Sequence, residues 1–377
     1  MILAFTIMLM IGVVNNLRGQ VGPLIMDDFS LNYSQLGFLL SFLSLGAVIV
    51  FFLSGKLIEK FGLIKILIYG LIHTGFWLGA VYLSPGYYYL LISFFFVSMG
   101  LTLLNIVSVT IISLSFSNTR GKMINLLHLF YGLGGIIAPY FVTLILKGGF
   151  SWAHSFLFST ILIIIIFILF KTSKLPETRA SKKDLEVRST KELLQDKAVI
   201  LFSLLVFIQV GVEFSMVTWL APFLKDVQAR SEIVISFYLS LFFISFTFGR
   251  LIASFVVEKL GYYNFMIYTQ IAAVIVIGAA IIGGESLTFL FSISGIFLAV
   301  QVPTSQAAIL DIFGENGIKV VGFTQTAGTL GAAFLANWII GYINDLFGVR
   351  SAFTAVIILL IGLIMLTFYL KNLFYEH

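Results

Sequence analysis

The chain of 377 residues has no cysteine, which excludes disulfides and thiolate metal sites. Charge is nearly as scarce: Asp, Glu, Lys and Arg together supply 10% of the residues, against about 25% in ordinary soluble domains. The four histidines are scattered and show no metal-ligand spacing. No G-x-x-x-x-G-K-[ST] loop occurs, so ATP is not expected. With no nucleophile–base pair either, the sequence predicts no cofactor, no metal and no enzyme. The first apolar run begins at Met1 without a basic leader or a small-residue cleavage site, and it is expected to be a retained span rather than a signal peptide.

What fills the chain instead is hydrocarbon. Hydrophobic residues make up 60%, with 40 Phe and 15 Tyr, and the mean hydropathy is +1.08. Apolar runs of about 20 residues recur throughout, the length that crosses a bilayer as a helix. β-barrel alternation is absent. The predicted fold class is therefore an all-α membrane protein of twelve transmembrane helices, at about 2–25, 34–56, 63–83, 87–112, 122–146, 153–171, 198–224, 233–257, 264–283, 287–310, 318–342 and 350–371.

An even number of spans puts both termini on one side. If that side is the cytoplasm, only Lys147, Lys225, Arg230 and Arg350 among the basic residues outside the spans face away from it. The positive-inside rule then predicts cytoplasmic termini in the cell (plasma) membrane, as in a bacterial inner membrane. The net charge of +5 is ascribed to loops facing anionic lipid rather than to a nucleic-acid partner. A monomer surrounded by membrane lipids is expected.

The longest polar stretch divides six spans from six. It gives an N-terminal six-helix half over 1–171, a cytoplasmic linker over 172–197, partly helical within 182–195, and a C-terminal six-helix half over 198–377. The halves repeat. At a constant spacing of 199 residues, Gly12 matches Gly211, Pro23 matches Pro222, Asp27 matches Asp226, Ser41 matches Ser240, Glu59-Lys60 matches Glu258-Lys259, and Gly62 matches Gly261. A weaker echo near 197 pairs Ser155-Phe156 with Ala352-Phe353. Six-span repeats of this kind are the design of many secondary transporters, with the solute site near the midplane.

Two charges lie deep in the spans. Glu213 is more than ten residues from either end of its apolar run, roughly 15 Å along a helix, too far to snorkel. An ionised group at the bilayer centre costs about 2.5–3.5 kcal/mol on insertion scales. Arg18 sits in the first span beside Asn15, Asn16 and Gln20, and four polar groups in hydrocarbon each require a partner, so this face is expected to line a cavity. Two roles stay open for the charges: a structural ion pair, or a solute contact at Arg18 with proton exchange at Glu213. Gln209 lies one turn before Glu213 and is expected to hydrogen-bond it. His128, one turn after Asn125, is a second proton-relay candidate or a packing histidine. Asn105, Gln301, Gln325 and Asn337 are candidate solute donors or interhelical bonds.

After the second span the chain reads Gly55-Lys56-Leu57-Ile58-Glu59-Lys60-Phe61-Gly62-Leu63-Ile64-Lys65. This resembles the signature loop of the major facilitator superfamily, G-x-L-x-D-R-x-G-R-R, with Glu for Asp, Lys for Arg and one terminal base. Its expected role is a gate clamp, with the acid near the start of a short helix and the bases behind it.

Val210-Gly211-Val212-Glu213 with Trp219, Asn125-Leu126-Leu127-His128 with Gly132 and Gly134, Gly249-Arg250, and Pro303-Thr304 are similar to motifs of the fucose–galactose–glucose/proton symporter group. The resemblance implies the major facilitator fold, a sugar or sugar-like solute, proton coupling, a sugar-stacking role for Trp219, and gating roles for Gly55, Glu59, Lys60, Gly62, Arg250 and Glu258. The group's acid in the first span is missing before Asp27, and Arg18 shifts the expected solute toward an acidic derivative. The expected function is thus proton-coupled transport of a small polar solute by alternating access, the coupling ion being a proton rather than sodium. A proton-antiport efflux pump for drugs or metabolites is the alternative, and a non-transporting sensor is disfavoured by the short linker.

Overall fold

The structure, a computed structural model, describes residues 2–116, 120–172 and 189–375. Among these residues there is no strand, and 12 helices are long and apolar enough to cross a membrane. They are α1 (Ile2–Phe29), α2 (Tyr33–Phe61), α3 (Leu63–Tyr82), α4 (Tyr87–Ser115), α5 (Arg120–Lys147) and α6 (His154–Thr172), then α7 (Lys197–Asp226), α8 (Glu232–Leu260), α9 (Tyr262–Gly283), α10 (Phe289–Phe313), α11 (Lys319–Phe347) and α12 (Ser351–Tyr375). A chain with so little charge solvates its own backbone only by helix formation, since hydrocarbon offers no hydrogen bonds.

By contact the residues fall into two compact units. Unit 1 is Met1–Asn32, Phe38–Ser181 and Arg230–Ser240; unit 2 is Tyr33–Gly37, Lys182–Ala229 and Leu241–His377. Each unit thus takes in the first turn or two of a helix whose remainder belongs to the other. The two exchanged segments start at Tyr33 and near Glu232, which are repeat-matched positions.

In unit 1, α1 runs along α5, and α3 packs on α4 and α6. In unit 2 the matching helices pair the same way: α7 runs along α11, and α9 packs on α12. Glycine makes the first pairing possible. A Cβ on Gly12 would strike the backbone of Tyr131, and one on Gly134 would strike the backbone of α1 at Gly12 and Val13. In unit 2, Gly211 lies against the Leu335 side chain, and Gly331 lies against the Phe207 carbonyl. Small residues that let backbones touch are the usual basis of helix association in lipid.

Several helices extend past their apolar cores, and this corrects the expected signature loop. α2 continues to Phe61, so Gly55, Glu59 and Lys60 stand on its last two turns, and only Gly62 leaves the helix. Glu59 therefore ends a helix rather than starting one, and Lys60 is the residue that suits the negative helix terminus. Gly62 and its repeat-mate Gly261 break the chain with nearly the same dihedrals, φ 75 and ψ 159 against φ 75 and ψ 150. Positive φ is a conformation that glycine adopts far more readily than residues with a Cβ.

Between the halves, a short helix (Thr190–Gln195) starts with a Ser189–Glu192 capping box, and Asp196 then caps α7 through Ala198 N. The rest of the expected linker helix, over 182–188, lies outside the described residues.

α10 and α11 are irregular. α10 comes in pieces, Phe289–Ile293, Gly295–Leu298 and Gln301–Phe313, with Pro303 in the first turn of the last, where a missing N–H is harmless. In α11 the segment Gly331–Ile339 is a π-helix, a form that tends to mark functional sites.

Glycine contact makes a direct prediction. Gly331→Ala should destabilise the protein by about 1–3 kcal/mol, because its Cβ meets the Phe207 backbone. Gly79→Ala, with open space at its Cβ, should leave the thermal unfolding midpoint in detergent unchanged or slightly raised.

Candidate functional site

The polar residues of α1 are held in unit 1. α1 is buried along nearly its whole length, so its side chains meet protein rather than lipid. Arg18 is 6% exposed and Gln20 is 1% exposed. Asn16 donates to its own helix, from Nδ2 to the Gly12 carbonyl at 2.7 Å, while Asn15 is half-buried. Gln20 reaches the first turn of α8: its Nε2 donates to Glu232 Oε2 at 2.6 Å and to the Glu232 carbonyl at 3.3 Å. Gln20 Oε1 is buried without a hydrogen-bond partner among the described residues. Asn105 on α4 and His128 on α5 are half-buried. The side chain of Asn125 lies outside the described residues.

Unit 2 gathers its polar residues into two clusters. In the first, Ser305 on α10 donates to Gln209 Oε1 at 2.9 Å, and Gln209 Nε2 points to Met266 Sδ at 3.7 Å. The expected bond from Gln209 to Glu213 is therefore replaced by contacts to α10 and α9. Gln270 Nε2 donates to Gln301 Oε1 at 2.9 Å and to Thr367 Oγ1 at 3.1 Å, and Gln301 Nε2 donates to Thr269 Oγ1 at 2.7 Å. Gln209 and Gln301, two expected solute donors, thus meet in one buried network joining α7, α9, α10 and α12.

The second cluster surrounds the π-helix. Thr218 Oγ1 donates to Asn337 Oδ1 at 3.0 Å, and Trp219 Nε1 donates to the Ala336 carbonyl at 2.8 Å. A π-turn frees carbonyls from the i→i−4 ladder, and Trp219 takes one. Its ring is fully buried and meets Tyr33 edge-on at 6.0 Å, so the aromatic that the resemblance casts as a sugar platform is packed inside unit 2. Asn337 Nδ2 and Gln325 Nε2 are buried donors without a hydrogen-bond partner among the described residues.

Glu213 is half-buried on α7. Arg250 extends from α8 to α10, with Nε donating to the Ala299 carbonyl at 3.4 Å and its guanidinium 4.6 Å from the Phe246 ring centre. Ala299 lies where α10 is broken, so the arginine serves a carbonyl that the helix leaves free. Lys60 is exposed, and Glu258 is exposed beside a cleft lined by Tyr262, Tyr263, Ala308 and Asp311. The side chain of Glu59 lies outside the described residues. No group of three or more His, Cys, Asp or Glu with metal-holding geometry occurs among the described residues.

Glu232, Ser236, Asp226 and Asp345 were not legible as partners. Glu232, Asp226 and Asp345 sit at or near helix ends, where a charged residue reads as ordinary surface, and Ser236 is a small residue within an apolar run. The one available signal was the spacing of 199, which aligns Glu232 with Tyr33 and Ser236 with Gly37.

Twelve membrane-length helices among the described residues, in two similarly built units, define a multi-pass membrane protein, with buried polar groups on α1 in unit 1 and on α7, α10 and α11 in unit 2. The chain belongs to the Major Facilitator Superfamily, whose family model matches residues 2–284 and 213–374. It is 26% identical over 374 residues to the hexuronate transporter of Bacillus subtilis, covering 90% of this chain and 87% of that one. It is 24% identical over 370 residues to the glucose/galactose transporter of Brucella abortus, covering 92% and 88%. It is also 24% identical to Bypass of stop codon protein 6 of Saccharomyces cerevisiae, over 61% of this chain but only 54% of the yeast protein.

Among solved structures, the inward-facing, unoccupied bacterial homologue of the human lysosomal transporter Spinster gives a TM-score of 0.81 at 16% identity, covering 99% of this chain and 97% of that one. The transporter FucP in its outward conformation gives 0.67 at 18%, covering 97% of each. These likenesses show the fold. The hexuronate and glucose/galactose relatives are named as transporters and not as enzymes.

The Gln209–Gln301 network makes a prediction that separates packing from solute contact. If the network is structural, Gln301→Leu should cost about 1 kcal/mol of stability, in the range of interhelical bonds in lipid. Solute affinity, read by isothermal titration of the folded fraction with glucose or glucuronate, should stay within twofold.

Proposed function

We propose that the chain is a secondary active transporter that moves a small polar solute, a sugar or an acidic sugar derivative, across the cell membrane by alternating access. Coupling to protons runs through Glu213. The observation that carries this reading is Arg18, a cation only 6% exposed at the centre of the most enclosed helix. The planar guanidinium offers a carboxylate two parallel N–H donors, so on this polar face, beside the buried Asn16 and Gln20, it is a group able to read an acidic solute. A hexuronate transporter and a glucose/galactose transporter among the relatives support a hexose-sized solute, and the first of them supports an acidic one.

Glu213 stands on α7 at the place that α1 gives to its polar face. A carboxylate there that meets water from each side in turn takes up a proton on one side and releases it on the other, so its charge crosses only in neutral form. His128 is a second group able to hand on a proton. Asn15, Asn105, Gln325 and Asn337 supply neutral hydrogen-bonding groups for solute hydroxyls. Both termini face the cytoplasm, and Arg250, Lys60 and Glu258 act at that end as gating charges.

Two expected outcomes test the proposal. In proteoliposomes, Glu213→Gln should abolish uphill accumulation while leaving solute counterflow within about threefold of wild type. Unchanged accumulation would remove Glu213 as the proton site. Arg18→Gln should weaken binding of glucuronate at least tenfold and binding of glucose far less; equal losses would refute a charge-reading role.

A further inference from the structure

Within unit 2, a cleft of about 390 Å³ opens where the end of α8, the start of α9 and the ends of α10 and α12 meet. A volume of that order suits a small organic molecule. The cleft stands at helix ends, whereas Glu213 stands at the middle of α7. Its polar groups are of one sign. Glu258 in the last turn of α8 and Asp311 in the last turn of α10 are exposed carboxylates. The Tyr262 hydroxyl donates to Asp311, and Glu258 is close enough to act on the same side chain. Among the described residues that line the cleft, none is basic. The C-terminal end of a helix is itself negative and favours a cation, and three such ends converge here.

Acidic helix ends alone are ordinary surface, but Tyr263 is not. It is 6% exposed and lines the same cleft, and its hydroxyl is buried without a hydrogen-bond partner among the described residues. A buried hydroxyl left in that state is costly, and a ligand N–H relieves it. The repeat shows that the turn itself does not require these phenols. Gly62 and Gly261 break the chain with nearly the same dihedrals, yet the residues that follow are Leu63 and Ile64 in one half and Tyr262 and Tyr263 in the other.

We propose that this cleft binds an organic cation, a protonated primary amine with a short hydrocarbon or aryl body. The ammonium group lies between Glu258 and Asp311 and gives one N–H to the Tyr263 hydroxyl, since charge-assisted hydrogen bonds to carboxylates are the strong ones. The tyrosine rings add cation–π attraction. The rest of the lining is apolar, including Val257, Ile312 and Phe374, which suits a hydrocarbon body and not a hydrated metal ion. A bound amine ties the turn between α8 and α9 to the ends of α10 and α12, all within unit 2. The proposal does not rest on the transport reading, because binding is read without a solute or a gradient.

The test is isothermal titration of the full chain in nanodiscs with phenethylammonium chloride. Its neutral analogue 2-phenylethanol is titrated in parallel, and empty nanodiscs control for partition into lipid. The amine should bind saturably and about tenfold or more tighter than the alcohol, the margin that a charge-assisted contact supplies. Asp311→Asn should weaken the amine by a similar factor. Tyr263→Phe, which removes only the hydroxyl, should weaken it about fivefold, as expected for one hydrogen bond.

Heat no greater than that of empty nanodiscs, or equal affinity for amine and alcohol, would overturn the site. So would unchanged affinity in either Asp311→Asn or Tyr263→Phe. If Asp311→Asn does not fold, Glu258→Gln takes its place with the same expected loss. A loss of binding in Glu213→Gln that Asp311→Asn does not share would put the amine at the α7 carboxylate instead, and overturns the cleft as its site.

Discussion

Hydrocarbon offers no hydrogen bonds, and that constraint shapes every part of this protein. It forces the backbone into helices, draws α1 against α5 and α7 against α11 through Gly12, Gly134, Gly211 and Gly331, and turns most buried polar side chains toward partners inside. The partners found are specific. Gln209, Gln270, Gln301 and Ser305 form one network, and Trp219 takes a carbonyl next to the π-turn of α11. Arg250 serves a carbonyl where α10 is broken. Irregular backbone and polar side chain occur together because each supplies what the other lacks.

The spans, their number and their repeat were readable in the sequence, because 20-residue apolar runs and a constant spacing leave little freedom. Gly62 and Gly261 are the clearest case: matched in sequence, they adopt the same left-handed break. Helix ends were less legible. α2 runs five residues past its apolar core, since Leu57 to Phe61 are as compatible with a helical turn as with a loop, and the motif's acid therefore closes a helix.

Side-chain partnership was the least legible feature. Gln209 and Glu213 share a helical face, yet Gln209 turns to Ser305 and Met266, a choice set by α9 and α10 and invisible along α7 alone. Trp219 matched a sugar-transporter motif, but the freed Ala336 carbonyl and the Tyr33 ring enclose it. A single sequence carries the polarity of a face, whereas the partner belongs to the packing. The exchange of first turns between the units was hidden for the same reason, since Asp345 and Ser34 are 311 residues apart.

The proposed function turns on the coupling of protons to the movement of a small polar solute. It is tested most directly in proteoliposomes holding the pH dye pyranine, with potassium and valinomycin to clamp the potential and no imposed pH gradient. Addition of glucuronate or glucose outside should acidify the lumen, with one of the two effective at low millimolar concentration. Solute entry in the same vesicles without any change of internal pH would contradict proton coupling.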